Sequence, residues 1–192
     1  GRVLIVTSQG GMMDASDIAE QPIHLINSGP SMAPVSGRYF AREDEGSDTA
    51  VIADTGGTSF DVSLVRDGRI PWTRETWLGQ PYRGHMTGFP STDVKSIGAG
   101  GGSIAWVDEG GMLHVGPQSA GASPGPACYG QDGKHATVTD SALVLGLLDA
   151  DYFLGGRMKL DIDAARRAIE TDVSGPLGFD VEAGAAAVMS VM

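Results

Sequence analysis

Residues 54 to 61 read Asp-Thr-Gly-Gly-Thr-Ser-Phe-Asp, between the apolar run "TAVIA" and the alternating run "VSLV". This is a strand, a bend and a strand, with the polar chemistry gathered at the bend. A phosphate chain needs backbone N–H donors that approach closely, hydroxyls that share its oxygens, and a divalent cation held by carboxylates. Gly56 and Gly57 permit close approach and positive φ, and Thr55, Thr58 and Ser59 complete the polar rim. Asp54 ends the incoming strand where an outer-sphere magnesium ligand would sit, and Asp61 opens the next strand, placed to orient the hairpin or a water. The same residues also make an ordinary hairpin rich in turn formers, so residue types alone leave both readings standing.

A second glycine run, "GAGGGS" at 98 to 103, lacks the Lys-Ser/Thr pair of a Walker A loop and the final glycine of a dinucleotide fingerprint. It reads either as a surface loop or as a close backbone approach of Gly100, Gly101 and Gly102 to a ligand or to the 54 to 61 bend, their N–H groups forming an anion nest. Lys95 is placed to reach a phosphate or to stay solvated. "GPQSAGASPGPACYG" contains Ser119 and Ser123 but no nucleophile elbow. Cys128 reads as a small buried hydrophobe, a metal ligand or a reactive thiol. His85, His114, His135, Asp93 and Asp140 are possible companions in a metal set, although their spacing matches no zinc ribbon or finger. Asp140 is also a natural helix cap. Trp77, Tyr82, His85, Met86 and Phe89 crowd a Gly/Pro-rich stretch and suit core packing, a subunit contact or a substrate lining.

The elements that must hold these residues follow from periodicity and punctuation. Residues 2–9 read as a buried strand, and "GGMMDASDIAEQ" as a turn and a helix capped at Asp14 or Ser16. "HLINSGPSMAPVSG" reads as a loop opening a helix toward Phe40, and "AREDEGSD" as an exposed acidic linker. Strands are predicted over 49–54, 60–66 and 70–76, with "RDGR" as an Asp-Gly hairpin turn, and short strands over 103–107 and 112–115. Helices are predicted from Thr139 or Asp140 and from Asp161 or Asp163. Strands first and helices later indicate an α/β or α+β layer.

With 192 residues, of which 41% are hydrophobic and 19% charged, the chain has the composition of a globular protein. Its 29 glycines are about twice the usual share of roughly 7%. A net charge of −11 disfavours nucleic acid and anionic membrane surfaces, so any phosphate needs a local site. One cysteine excludes an internal disulfide framework and suits a reducing compartment, and no apolar run is long enough for a transmembrane helix; the expected location is the cytoplasm. Gly1 and the alanine-rich close suggest a piece of a longer protein.

The bend resembles the phosphate hairpin of the actin, sugar kinase and Hsp70 superfamily. "VIADTGGTSFDVSLVRDG", "SIGAGGGSIAWVD", "VGPQSAGASPGPACYG" and "TVTDSALVLG" occur here in the order found in the hydantoinase/oxoprolinase family, which includes N-methylhydantoinase A, 5-oxoprolinase and subunits of acetone and acetophenone carboxylases. The resemblance implies part of an actin-like (ribonuclease H-like) α/β ATPase domain with glycine-rich insertions: residues 1–48 ending a preceding subdomain, and 49–192 the phosphate-hairpin subdomain. It implies ATP and Mg2+, with Asp54 and Asp61 in catalytic and metal roles and Asp54 to Ser59 plus Gly100 to Gly102 at the cofactor. It also implies a cyclic amide or ketone substrate, a hydantoinase B-like partner and an oligomeric parent. The family's other phosphate hairpin and its adenosine-side segment lie outside these residues, so little turnover is expected of them alone. Met32 and Ala33 stand where many members have smaller residues, and Lys95-Ser96 where they have His-Thr.

Overall fold

The computed structural model describes residues 1–79 and 82–192, so Gln80 and Pro81 of the aromatic stretch lie outside the described residues. The chain divides into two compact units, residues 1–54 with 61–96, and residues 55–60 with 97–192. The division differs from the boundary expected at residue 48. Strands enter and leave the bend in the first unit, whereas the bend itself is bonded to the glycine run of the second.

In the first unit, β1 (Leu4–Val6) pairs antiparallel with β2 (Met12–Asp14). β1 is short and at most half-buried, not the buried strand expected over 2–9. Asp14 caps α1 (Ala15–Glu20) by accepting from the Ser16 N–H, and α2 (Met32–Glu45) follows. The expected acidic linker is the last turn of α2, which ends at Gly46 with φ 62°. Local propensity explains this: four of the five residues of "AREDE" are good helix formers, and the glycine supplies the left-handed stop. β3 (Ala50–Thr55), β4 (Phe60–Val65) and β9 (Val94–Ile97) form a sheet in the order β3-β4-β9. Beyond β4, Asp67 and Gly68 have φ of 50° and 69°, the left-handed pair that an Asp-Gly hairpin turn requires. The strand expected over 70–76 shrinks to β5 (Trp72–Thr73), which pairs with β8 (Ser91–Thr92); β6 (Trp77–Leu78) pairs with β7 (His85–Met86).

In the second unit, β10 (Ser103–Val107) and β11 (Leu113–Ser119) form an antiparallel hairpin. The core lies here: Ala105, Leu143, Ile169, Val173, Ala185 and Val188 are at most 2% exposed. α3 (Val138–Val144) is capped by Thr137, not by Thr139 or Asp140. The Thr137 hydroxyl accepts from the Asp140 N–H and the Asp140 carboxylate accepts from the Thr137 N–H, a reciprocal capping box. α4 (Ile162–Ile169) is capped by Asp161, buries Ala165, Ala168 and Ile169 along one face, and carries Arg166 and Arg167 in its last turn, where cations suit the helix dipole. A π turn (Glu170–Ser174) and α5 (Gly175–Leu177) lead to α6 (Val181–Val191), capped by Asp180. Gly184 is required inside α6 because a Cβ there would lie 2.8 Å from Ser174 Cβ.

Candidate functional site

The bend closes with the Gly56 N–H donating to the Ser59 carbonyl at 2.9 Å. Neither Gly56 nor Gly57 has positive φ, so the expected need for left-handed backbone is not why they are glycines. At Gly57 a Cβ would meet nothing within 4 Å, so glycine there leaves open the space in front of the peptide. Thr55, Gly56, Gly57 and Thr58 line a cavity of about 520 Å3 in the second unit, a size typical of small-molecule sites. Among the described residues, no protein group accepts from the N–H of Gly57, Thr58 or Ser59.

The glycine run does something other than bind an anion. Gly101 N–H donates to the Gly56 carbonyl at 2.9 Å, Gly102 N–H to the Gly57 carbonyl at 2.7 Å, and Gly100 N–H to Ser103 Oγ at 2.8 Å. All three amides are spent within the protein, which corrects their expected place in an anion nest. The close approach is to the bend itself. A Cβ on Gly100 would lie 2.6 Å from the Ser59 nitrogen and 2.7 Å from both the Gly56 oxygen and the Thr58 nitrogen, and one on Gly102 would lie 2.9 Å from the Gly57 oxygen.

The rest of the cavity wall went unforeseen. Ser119, Gly121 and Ala122 add a polar turn, while Tyr129, Val138, Ala142, Leu148, Phe153, Met189 and Met192 form an apolar side, with Thr139 between. No lining residue carries a carboxylate or a cation. Burial raises the Tyr129 phenol above its ordinary value, so it stays neutral. α3 was legible as a helix, but nothing in its spacing distinguishes a cavity wall from a core.

The remaining candidates are placed elsewhere. Asp54 lies on β3, exposed. Asp61 on β4 is 9% exposed and accepts a hydrogen bond from Ser96 Oγ on β9. Lys95 forms an ion pair with Asp93 at 2.8 Å, and the Asp93 hydrogen bond raises its pKa, so its charge is answered locally. Cys128 and Asp140 belong to no group of three possible metal-ligating side chains among the described residues. In the fully buried Asp140 carboxylate, Oδ2 accepts from Ala127 N–H, Thr137 N–H and Thr137 Oγ–H, and Oδ1 accepts from Cys128 N–H. Burial pushes the Cys128 thiol far up, keeping it protonated and unreactive. His114 bonds Asp108 and His135 bonds Asp172, and the described residues include no group of three His, Cys, Asp or Glu side chains suited to a metal. Of the aromatic stretch, Trp77 lies 5.4 Å from Tyr82, which is 88% exposed, and Phe89 packs edge-on against His24.

The family profile described as hydantoinase/oxoprolinase matches residues 1–192, the whole chain. The chain belongs to the hydantoinase/oxoprolinase family. It is 41% identical over 185 residues to the caprolactamase subunit alpha of Pseudomonas jessenii, a match covering 96% of this chain and 26% of that protein. The crystal structure of the ATP-dependent caprolactamase from Pseudomonas jessenii superposes with TM-score 0.77 and 39% identity, over 97% of this chain and 26% of that one. A nucleotide-free structure of acetone carboxylase, described with a mechanism of ATP-dependent acetone carboxylation, superposes with TM-score 0.79 and 30% identity, over 99% of this chain and 26% of that one. The chain therefore has the actin-like ATPase-type fold of this family, and it spans about a quarter of the length of these relatives. No helix among the described residues is long and apolar enough to cross a membrane.

Proposed function

We propose that this chain supplies the phosphate-holding bend of an ATP-dependent enzyme that activates a carbonyl or amide oxygen and so drives hydrolysis of a cyclic amide. One observation carries this reading: a glycine bend whose Gly57, Thr58 and Ser59 N–H groups have no protein acceptor among the described residues lines a cavity free of carboxylates, in a chain of net charge −11. Such donors suit a polyanion. The ATP-dependent caprolactamase among the relatives supports the choice of nucleotide and of amide.

ATP would supply a phosphoryl group, which turns a poorly reactive amide oxygen into a leaving group. The chain's own residues would hold and neutralise. The Gly57 and Thr58 N–H groups would donate to phosphate oxygens with the Thr55, Thr58 and Ser59 hydroxyls beside them, and Asp54 would hold hydrated magnesium. For Asp61, burial and the Ser96 bond favour a positioning role in β4 over direct contact with water. The apolar side of the cavity would lower the local dielectric around a bound phosphate, which strengthens donors facing it. A hydantoinase B-like partner, an oligomeric parent and a cytoplasmic location belong to the same proposal; the "subunit alpha" of the caprolactamase name supports the partner.

Titration calorimetry of the full-length parent with ATP and magnesium tests this reading. Gly57→Val puts bulk into space empty in the fold, and combined with Asp54→Ala it is expected to weaken ATP binding at least about tenfold. Undiminished binding would reject the site. A second reading, ATP-dependent carboxylation of a ketone, is favoured by the fit to acetone carboxylase at TM-score 0.79. Phosphate release with a lactam panel, set against ketones with bicarbonate, separates the two.

A further inference from the structure

The bonds between the glycine run and the bend form two continuous chains of peptide groups. In one, the Thr139 N–H and the Thr139 Oγ1–H both donate to the Gly101 carbonyl at 2.8 Å. The next peptide N–H on that plane, Gly102, donates to the Gly57 carbonyl at 2.7 Å, and the N–H on the plane after that belongs to Thr58. In the other, Ala120 N–H donates to the Gly102 carbonyl at 2.8 Å, Ser103 N–H to the Gly100 carbonyl at 2.9 Å, and Gly101 N–H to the Gly56 carbonyl at 2.9 Å; that chain ends on Gly57 N–H.

The only cis peptide bonds among the described residues precede Pro117 and Pro124, so every peptide in both chains is trans and planar. In a trans peptide the N–H points opposite to its C=O. The Gly56 and Gly57 carbonyls are held by the Gly101 and Gly102 amides, so the Gly57 and Thr58 N–H groups point away from those two amides. Each bond also polarises the next along such a chain, by roughly 10–30% per bond.

We infer that Thr139 is a positioning residue for the phosphate bend: through Gly101 and Gly102 its hydroxyl orients and polarises the Thr58 N–H. Its hydroxyl is the only side-chain donor in either chain, which makes it the one bond that substitution can remove without altering a backbone; the Thr139 N–H bond to the same carbonyl stays. α3 keeps its cap when the hydroxyl is removed, because Thr137 and Asp140 make that cap between themselves. Gly100, Gly101 and Gly102 are glycines because any Cβ there would meet the bend, Thr139 Oγ1 at 2.9 Å or Ser119 Oγ at 2.8 Å.

This inference rests on the phosphate reading above, and the test keeps the two apart. Hydrogen exchange by mass spectrometry is followed on the full-length parent, unaltered and as Thr139→Val and Thr139→Ser, with and without ATP and magnesium. In the ATP-free protein, Thr139→Val is expected to speed exchange at Gly102 several-fold, whereas Thr139→Ser leaves it unchanged. ATP is expected to protect residues 57–58 in the unaltered protein, and its affinity to fall about fivefold in Thr139→Val, as loss of one hydrogen bond implies. Thr139→Ala provides a second hydroxyl-free variant should valine disturb α3. Failure of ATP to protect residues 57–58 in the unaltered protein would overturn the phosphate reading. Protection by ATP, with exchange at Gly102 and ATP affinity untouched by both hydroxyl-free variants, would overturn the role of Thr139 alone.

Discussion

Residues 97–192 with the bend, and residues 1–54 with 61–96, reach order by different means. The former bury a contiguous apolar cluster running from Ala105 through Leu143 and Ile169 to Val188. The latter bury hydroxyls: Ser31 Oγ–H donates to the Thr7 and Ser28 carbonyls, Ser8 Oγ–H to the His24 carbonyl, and Thr76 and Ser91 pair at 2.8 Å. There Ile18 and Val65 are fully buried, while Phe40, Val51 and Trp72 are well over half exposed. Apolar burial is the larger and less directional force, so the helical unit provides a stiff floor under the bend, and the other unit is held by geometry that single hydroxyls specify. The proposed site is made of main-chain amides, whose aim depends on such a floor.

Unfolding of the full-length protein, with hydrogen exchange resolving each unit, should expose this contrast. The largest effect is expected from Asp140→Ala, which leaves the Ala127, Cys128 and Thr137 N–H groups without their acceptor and should cost at least about 3 kcal/mol in the helical unit. Leu143→Ala should cost a comparable 3 kcal/mol or so, and a loss under about 1 kcal/mol would contradict the stiff floor. Ser31→Ala should cost only about 1 kcal/mol and confine its effect to the other unit.

The smallest effect is one of pH. The Cys128 thiol is raised above its ordinary 9.0 by burial, so the folded form keeps a proton that the unfolded chain releases. Stability is therefore fully present below about pH 9 and declines as pH rises beyond it, with Tyr129 acting in the same sense above 10.0. Cys128→Ala should flatten the onset of that decline; an unchanged alkaline slope would show that the thiol is not as enclosed as its surroundings indicate.

Much of the site was readable before any coordinates. The bend, its hairpin setting and the Asp-Gly turn beyond it are marked by residues whose backbone requirements are local. The short pairs β5-β8 and β6-β7 and the helical "AREDE" were not, because tertiary pairing trims strands and helix propensity overrides an acidic look. For Gly100 to Gly102 the sequence allowed approach to a ligand or to the bend, and only distances choose the bend. Asp140 was expected as the cap itself; it stands at the third position of α3 and completes the cap that Thr137 begins, while its grip on the Ala127 and Cys128 amides depends on a turn ten or more residues away.

The most direct test is a structure of the full-length protein with magnesium and a non-hydrolysable ATP analogue. The account predicts phosphate oxygens about 2.7–3.2 Å from the Gly57 and Thr58 nitrogens, with Gly101 and Gly102 still bonded to the bend carbonyls. Phosphates bound elsewhere, with those two amides facing only water, would contradict it.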